Sequence, residues 1–327
     1  MTANLFEVRD LAVQINTGAE WRSAVEGASF AVGEGEVLAI VGESASGKSL
    51  MAIGCVDLLG PGALVTGGDT LFGGERLQDL GDERWRELVG MGIGVLFQDP
   101  IGSWDPLATI GEQSGEVLEQ HTPLSRSDIR RRVLEALGEV KLPRKRKFLS
   151  LPSQMSRGEA QRAMLASVLI SSPHLLIADE PVTGLDATVA AAVLDLIADL
   201  CRNRGMGMVL VTHDLGVVAR MADRVAVVYA GLIVEEGPVH DVFRSPQHPY
   251  TEGLLASIPR PGAGRLRPIE GDPPYIADPP PGCPFWPRCP YAEIRCRAEV
   301  PPVETIGRTR VRCVRSWGLD LQGVGSR

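Results

Sequence analysis

Gly42-Glu43-Ser44-Ala45-Ser46-Gly47-Lys48-Ser49 stands between an apolar run, Val37-Leu38-Ala39-Ile40-Val41, and a segment that reads as helix from Ser49-Leu50 onward. Gly, four residues, then Gly-Lys-Ser, in a strand-loop-helix setting, is the phosphate-binding P-loop pattern. Glycine at both ends lets the backbone curl until successive N–H groups point inward. The helix that follows offers the positive end of its dipole, and Lys48 adds a full charge against the outer phosphates. The Ser49 hydroxyl is then available to Mg2+, so residues 42 to 50 predict a site for a nucleoside triphosphate. A Gly/Ser-rich turn of no consequence would not need the flanking strand and helix.

The totals narrow the setting. A chain of 327 residues predicts about two domains. Net charge is -8 and the pI about 5.3, which gives nucleic acid no general attraction. The one basic run, Arg144-Lys145-Arg146-Lys147, reads as a solvated loop. Met1 to Val13 moves straight into strand-like alternation with no signal segment, and no apolar run approaches the ~20 residues that cross a bilayer. A cytosolic protein is expected, one that serves a membrane only from the side, through a partner. Of six cysteines, Cys55 and Cys201 are isolated in helical segments and read as buried, inert thiols. Cys283, Cys289, Cys296 and Cys313 crowd the chain's end, and in a cytosolic protein such a cluster favours metal over disulfide.

Taken in order, the chain alternates strands and Gly-rich turns up to Gln98, with the P-loop helix expected from Lys48 to Leu59 and stopped by Gly60-Pro61-Gly62. Strand signals vanish from Pro100 to Ser171, where Ile129, Val133, Leu134, Leu137 and Val140 follow helical spacing. Alternation then resumes: strand Leu175–Ala178, helix Ala187–Arg204, strand Met208–Val211, helix Leu215–Met221, strand Arg224–Tyr229. The pattern predicts an α/β fold, a mainly parallel sheet with helices on both faces and a helical insertion. After Val242 proline, glycine and cysteine dominate, and little regular structure is expected there. The predicted division is a nucleotide-binding core over 1–98 and 172–245, a helical subdomain over 99–171 and an extension over 246–327.

A P-loop enzyme needs a further acidic site, and Leu175-Leu176-Ile177-Ala178-Asp179-Glu180 supplies it, an apolar strand delivering carboxylates at its carboxyl end. Asp179 is placed to help hold Mg2+, and Glu180 to polarise an attacking water. With these residues in view the chain resembles the ATP-binding-cassette (ABC) ATPases over roughly residues 5 to 245. The resemblance implies a P-loop NTPase (RecA-like) core. It makes Gln98 the Q-loop glutamine that links Mg2+ and nucleotide to the membrane partner, and Asp186 in Thr183-Gly184-Leu185-Asp186 the D-loop residue. It makes His213 in Val211-Thr212-His213-Asp214 the switch histidine. Trp21 lies upstream where it would stack on adenine, with a solvent-side or interface tryptophan as the rival reading.

Ser156-Arg157-Gly158-Glu159 stands where the family carries its signature, usually Ser-Gly-Gly-Gln. In the family this segment opens a helix aimed at the γ-phosphate held by a second cassette. Arg157 replaces a glycine, so the resemblance implies a heterodimer of unequal ATP sites, the one completed by this signature hydrolysing weakly. Ser245-Pro246-Gln247-His248-Pro249-Tyr250-Thr251 and the four late cysteines resemble the C-terminal extension of oligopeptide, dipeptide and nickel importer ATPases. That narrower likeness implies an ATPase subunit at the cytoplasmic face of the membrane, docked on two permease subunits near Ser103-Trp104-Asp105-Pro106. An extracytoplasmic substrate-binding protein would supply the cargo, peptide or alternatively nickel or a metal chelate. It also implies a [4Fe-4S] cluster on Cys283, Cys289, Cys296 and Cys313, with a structural Zn2+ as rival. A non-transport ABC ATPase and a P-loop kinase are the readings from other classes. The first usually shows a coiled coil or two cassettes in one chain, and the second needs no signature, D-loop or switch histidine.

Overall fold

The computed structural model describes residues 4–258 and 268–324. In chain order its strands are β1 (Phe6–Asn16), β2 (Trp21–Val32), β3 (Val37–Val41), β4 (Ala63–Phe72), β5 (Glu75–Arg76) and β6 (Ile93–Leu96). They continue as β7 (Leu175–Asp179), β8 (Gly207–Thr212), β9 (Arg224–Tyr229), β10 (Leu232–Pro238), β11 (Glu304–Ile306) and β12 (Thr309–Val311). The helices are α1 (Lys48–Gly54), α2 (Asp82–Glu87), α3 (Ile110–His121), α4 (Arg126–Glu139), α5 (Arg144–Phe148), α6 (Arg157–Leu169), α7 (Ala187–Arg204), α8 (Leu215–Met221), α9 (Val239–Arg244) and α10 (Pro249–Ala256).

Two compact units result. One comprises residues 4–5, Val32–Glu36 and Gly73–Leu210, the other Phe6–Ala31, Val37–Phe72 and the described residues from Val211 onward. In the first unit β6 and β7 run parallel, Ile93 opposite Leu175 and Leu96 opposite Ala178. All five residues of β7 are buried, as a strand covered on both faces requires. Helices α3 to α6 fill the stretch from which strand signals are missing, and capping boxes start α3 at Thr109 and α6 at Ser156.

In the second unit β3 pairs in parallel with β9, Leu38 opposite Arg224 and Val41 opposite Val227. The sheet then turns antiparallel: β9 pairs with β10, β10 with β12, and β12 with β11. A separate antiparallel layer places β1 between β2 and β4. The parallel pairs β3–β9 and β6–β7 are those that the strand-helix alternation led us to expect, whereas the antiparallel layer around β1 is an addition that the alternation does not announce.

Three local expectations also need correction. The P-loop helix ends at Gly54, five residues before Leu59, and Asp57 sits at φ 56 where the chain leaves the helical region. The basic run at 144–147 is helical, and Lys147 is buried, its Nζ 2.8 Å from Glu159 Oε2. Its charge is held by a partner, which permits burial. The extension is also more regular than its proline content suggests. Helix α10 packs Tyr250 against Tyr229 at 4.6 Å between ring centroids, and Phe285 lies 5.2 Å from Tyr229 and 5.3 Å from Tyr250. These rings join Val41, Val227, Val234 and Val242 in one buried cluster.

Glu235 of β10 anchors the start of the extension, accepting the Gln247 N–H at 2.7 Å and the His248 N–H at 3.0 Å. Burial pushes its carboxyl up from 4.5 to about 7, against the pull of those two donors. The folded protein therefore holds a proton that the unfolded chain releases, so this group's stabilisation is full below pH 4.5 and is lost as pH rises to about 7. Denaturant titrations of wild type and Glu235→Gln between pH 5 and 8 should diverge, wild type losing up to ~3 kcal/mol relative to the variant. Parallel curves would contradict this.

Candidate nucleotide-binding site

Strand β3 ends at Val41, and the loop that follows closes on itself. Lys48 is 5% exposed and donates from Nζ to the carbonyl oxygens of Gly42 at 3.0 Å and Glu43 at 2.7 Å. Ser46 N–H reaches Glu43 O at 3.3 Å, and Ser46 O accepts the Gly231 N–H at 2.8 Å. Two glycines are required by contact and conformation. A Cβ on Gly42 would lie 2.2 Å from Val228 O, and Gly47, at φ 99, has Ala24 O 3.2 Å from where its Cβ would stand. Ala45 adopts φ 61, a left-handed value in a position where the pattern leaves the residue free. Ser49 and Leu50 open α1 half-buried, while Ser44 and Ala45 are exposed.

Glu43 is tethered through both its main chain and its side chain. Its N–H donates to Tyr250 Oη at 2.8 Å, and its carboxylate receives Arg288 Nη1 at 2.6 Å and Nη2 at 3.0 Å. Nothing in the sequence signalled this, because Glu43 occupies a free position of the pattern and Arg288 lies 245 residues away. His213 belongs to the same unit, exposed between β8 and Asp214, whose carboxylate caps α8 through Gly216 N–H at 2.7 Å. Trp21 also belongs there, 41% exposed at the first position of β2.

The other candidates lie in the first unit. Asp179 ends β7, 5% exposed. Glu180 follows at φ 46, a strained value for a residue with a side chain, and its Oε2 accepts the Thr183 hydroxyl at 2.6 Å. Asp186 caps α7, accepting from Thr188 N–H at 3.1 Å and Val189 N–H at 3.0 Å. Gln98 is exposed just beyond β6, ahead of Asp99, whose carboxyl is held low by the N–H groups of Gly102 and Ile101.

Ser156 caps α6 reciprocally with Glu159: Glu159 N–H reaches Ser156 Oγ at 3.3 Å, and Ser156 N–H reaches Glu159 Oε2 at 3.1 Å. With Lys147 bound to the same carboxylate, Glu159 holds the signature turn together. Arg157 lays its guanidinium beside Gly184, within 3.0 Å of where a Cβ on that residue would stand, and Gly158 faces Val189 Cγ1.

The late cysteines come together in the second unit. Cys283, Cys289, Cys296 and Cys313 line one cavity with His248, Phe285 and Trp286. All six cysteines are free thiols. Each late sulfur accepts a backbone N–H: Cys283 from Phe285, Cys289 from Tyr291, Cys296 from Glu293 at 3.5 Å and Cys313 from Arg315 at 3.4 Å. Burial is the main force on the Cys283 and Cys289 thiols, pushing them up to about 12 and about 11. As the side chains stand, no group of three or more His, Cys, Asp or Glu among the described residues converges at metal-binding distances.

Two buried donors in the same cavity wall have no hydrogen-bond partner, His248 Nε2 and Trp286 Nε1. His248 Nδ1 accepts the Tyr250 N–H at 3.0 Å, and burial keeps the ring neutral by lowering its pKa to about 3, so Nε2 carries the proton.

A P-loop, a strand-end acid pair and a capped signature helix on one chain define an ABC ATPase. Comparison with known proteins agrees. The ABC transporter family model matches residues 25–183, and the model of the oligopeptide/dipeptide transporter C-terminal region matches 234–296. The dipeptide transport ATP-binding protein DppD of Bacillus subtilis is 43% identical over 320 residues, 97% of this chain and 95% of that protein. The oligopeptide transport ATP-binding protein OppD of Mycobacterium tuberculosis is 43% identical over 318 residues, 95% of this chain but 52% of that longer protein. Among solved structures, a dimeric ATP-binding cassette in a post-hydrolysis state with ADP and Pi superposes with a TM-score of 0.64 at 28% identity, covering 72% of this chain and 98% of that one. The cassette cbiO1 of Clostridium perfringens, part of the ABC transporter complex cbiONQ, gives 0.61 at 26%, covering 73% and 90%. The chain belongs to the ATP-binding subunits of dipeptide and oligopeptide ABC transporters.

Gly42→Ala tests the loop geometry directly. The Cβ collides with a main-chain oxygen, so the variant should lose ~2 kcal/mol of stability by denaturant titration and at least ~10-fold in ATP affinity. Unchanged affinity would contradict the loop as the phosphate cradle.

Proposed function

We propose that this chain is the ATP-hydrolysing subunit of an importer that carries dipeptides or oligopeptides across the cytoplasmic membrane. The observation that carries the reading is the P-loop folded around Lys48 in a chain that continues into the peptide-transporter C-terminal region. The amides of residues 43–49 and the Lys48 ammonium take the phosphates, and Trp21 stacks on the adenine. By the family resemblance Ser49, Gln98 and Asp179 would hold Mg2+, which would supply positive charge against the phosphate oxygens. Glu180 polarises the attacking water, and its strained backbone, fixed by Thr183, aims the carboxylate. His213 orients the water and the terminal phosphate.

Two permease subunits are the membrane partners, met through the surface around Gln98 and Ser103–Pro106, where Phe97, Ile101 and Leu107 are exposed. No helix among the described residues is long and apolar enough to cross a membrane, in keeping with a peripheral subunit on its cytoplasmic face. A second cassette completes the assembly. Arg157, lying beside Gly184 of the D-loop, supports a heterodimer whose two ATP sites differ, with Asp186 and the segment Ser156–Glu159 completing the partner's site. An extracytoplasmic binding protein delivers the cargo.

The four late thiols, we further propose, hold a [4Fe-4S] cluster. The cysteine sulfurs already accept backbone N–H groups, yet His248 Nε2–H and Trp286 Nε1–H remain buried without acceptors. Cluster sulfides would supply acceptors that a single Zn2+ does not bring.

In the assembled transporter, Lys48→Ala should weaken ATP binding, and Glu180→Gln should lower turnover by 10²- to 10⁴-fold while trapping a closed ATP-bound dimer. Normal turnover in both would refute the assignment. Anaerobically purified protein should show visible absorbance bleached by dithionite and lost in Cys289→Ser. A colourless, zinc-containing protein would establish the rival ion.

A further inference from the structure

The segment that carries the four cysteines also reaches the P-loop, and it does so through one side chain. The Arg288 side chain is 6% exposed, and each nitrogen of its guanidinium is engaged. Nη1 and Nη2 make a two-pronged contact with Glu43, Nη1 also reaches Tyr229 Oη at 3.2 Å, and Nε donates to Glu270 O at 3.0 Å. A bidentate pair of this kind fixes orientation as well as distance. Tyr250, from the same extension, binds the Glu43 N–H, so both the main chain and the side chain of one P-loop residue are held by residues beyond position 245.

The loop needs such a hold. Between Val41 and α1 it holds Ala45 at φ 61, a left-handed value that costs free energy in a residue with a side chain unless the surroundings enforce it. It also carries a carboxylate, Glu43, in a loop that receives a polyanion. An unpaired negative charge there would repel the triphosphate, whereas the Glu43–Arg288 pair is neutral as a unit.

We propose that Arg288 is a positioning residue for nucleotide binding: by clamping Glu43 it preorganises the P-loop and cancels the loop's own negative charge. The extension thereby sets the ATP affinity of the cassette, and Cys289, the next residue in the chain, ties the clamp to the thiol cavity. The inference rests on the nucleotide-binding reading of the loop. Wild-type protein that binds no ATP would defeat that reading, whereas wild-type binding with an indifferent Arg288 would defeat only the clamp.

The test is titration of the full chain with a fluorescent ATP analogue, paired with steady-state turnover in the assembled transporter. Arg288→Gln should weaken binding about tenfold, the loss falling on KM for ATP and not on kcat. Arg288→Lys, which keeps the charge, should recover most of it. Arg288 acts through Glu43, so the double variant Glu43→Gln/Arg288→Gln should bind ATP within about threefold of Glu43→Gln alone. An Arg288→Gln protein that binds ATP as wild type does, or a double variant that loses the full tenfold beyond Glu43→Gln, would overturn the proposal. Should Arg288→Gln fail to fold, the double variant decides: a folded protein binding like Glu43→Gln supports the clamp, and one that fails as well overturns it.

Discussion

Lys48 turns its ammonium back onto the carbonyl oxygens of Gly42 and Glu43, and the loop around it can close only because of what lies at its two ends. Gly42 passes so near Val228 O that no side chain fits, and Gly47 takes a left-handed turn into α1. A lysine charge that is 5% exposed needs partners to remain charged, and the main chain of its own loop supplies them. On the proposed function a phosphate group would replace those carbonyls as the ammonium's partner when nucleotide arrives.

The second unit extends this arrangement into the C-terminal region. Tyr229 on β9 meets Tyr250 on α10 and Phe285 beyond it edge to face, and the two tyrosine hydroxyls accept from the Glu43 N–H and from Arg288. Buried Glu235 fixes the turn into α10, and His248 binds the Tyr250 N–H in the step that follows. The four thiols, the unpartnered His248 and Trp286 donors and the Arg288 clamp are thus successive parts of one stretch of polypeptide. In the first unit, Lys147 and Ser156 both meet Glu159, so a residue in the variable place of the signature has a definite structural role.

Much of this was legible in the chain. The P-loop, the strand ending on Asp179 and the helices from Ile110 to Leu169 follow from local signals, glycine placement and apolar spacing. What escaped reading was long-range or conditional on burial. Lys147 reads as solvated because charge runs usually are, and only the position of Glu159 shows that its charge is partnered. The antiparallel N-terminal layer has no sequence mark distinguishing it from strands of a parallel sheet, since register depends on which strand lies alongside. The Arg288–Glu43 pair joins residues 245 positions apart, each in a place where the local pattern permits many residue types.

On the proposed clamp, loop and extension respond to nucleotide as one body. Hydrogen–deuterium exchange with and without Mg2+ and a non-hydrolysable ATP analogue reads this response: nucleotide should slow exchange both in the peptide spanning Glu43–Ser49 and in the one spanning Phe285–Cys289. Exchange unaltered in the first would contradict the site, and protection confined to the first would contradict its union with the extension.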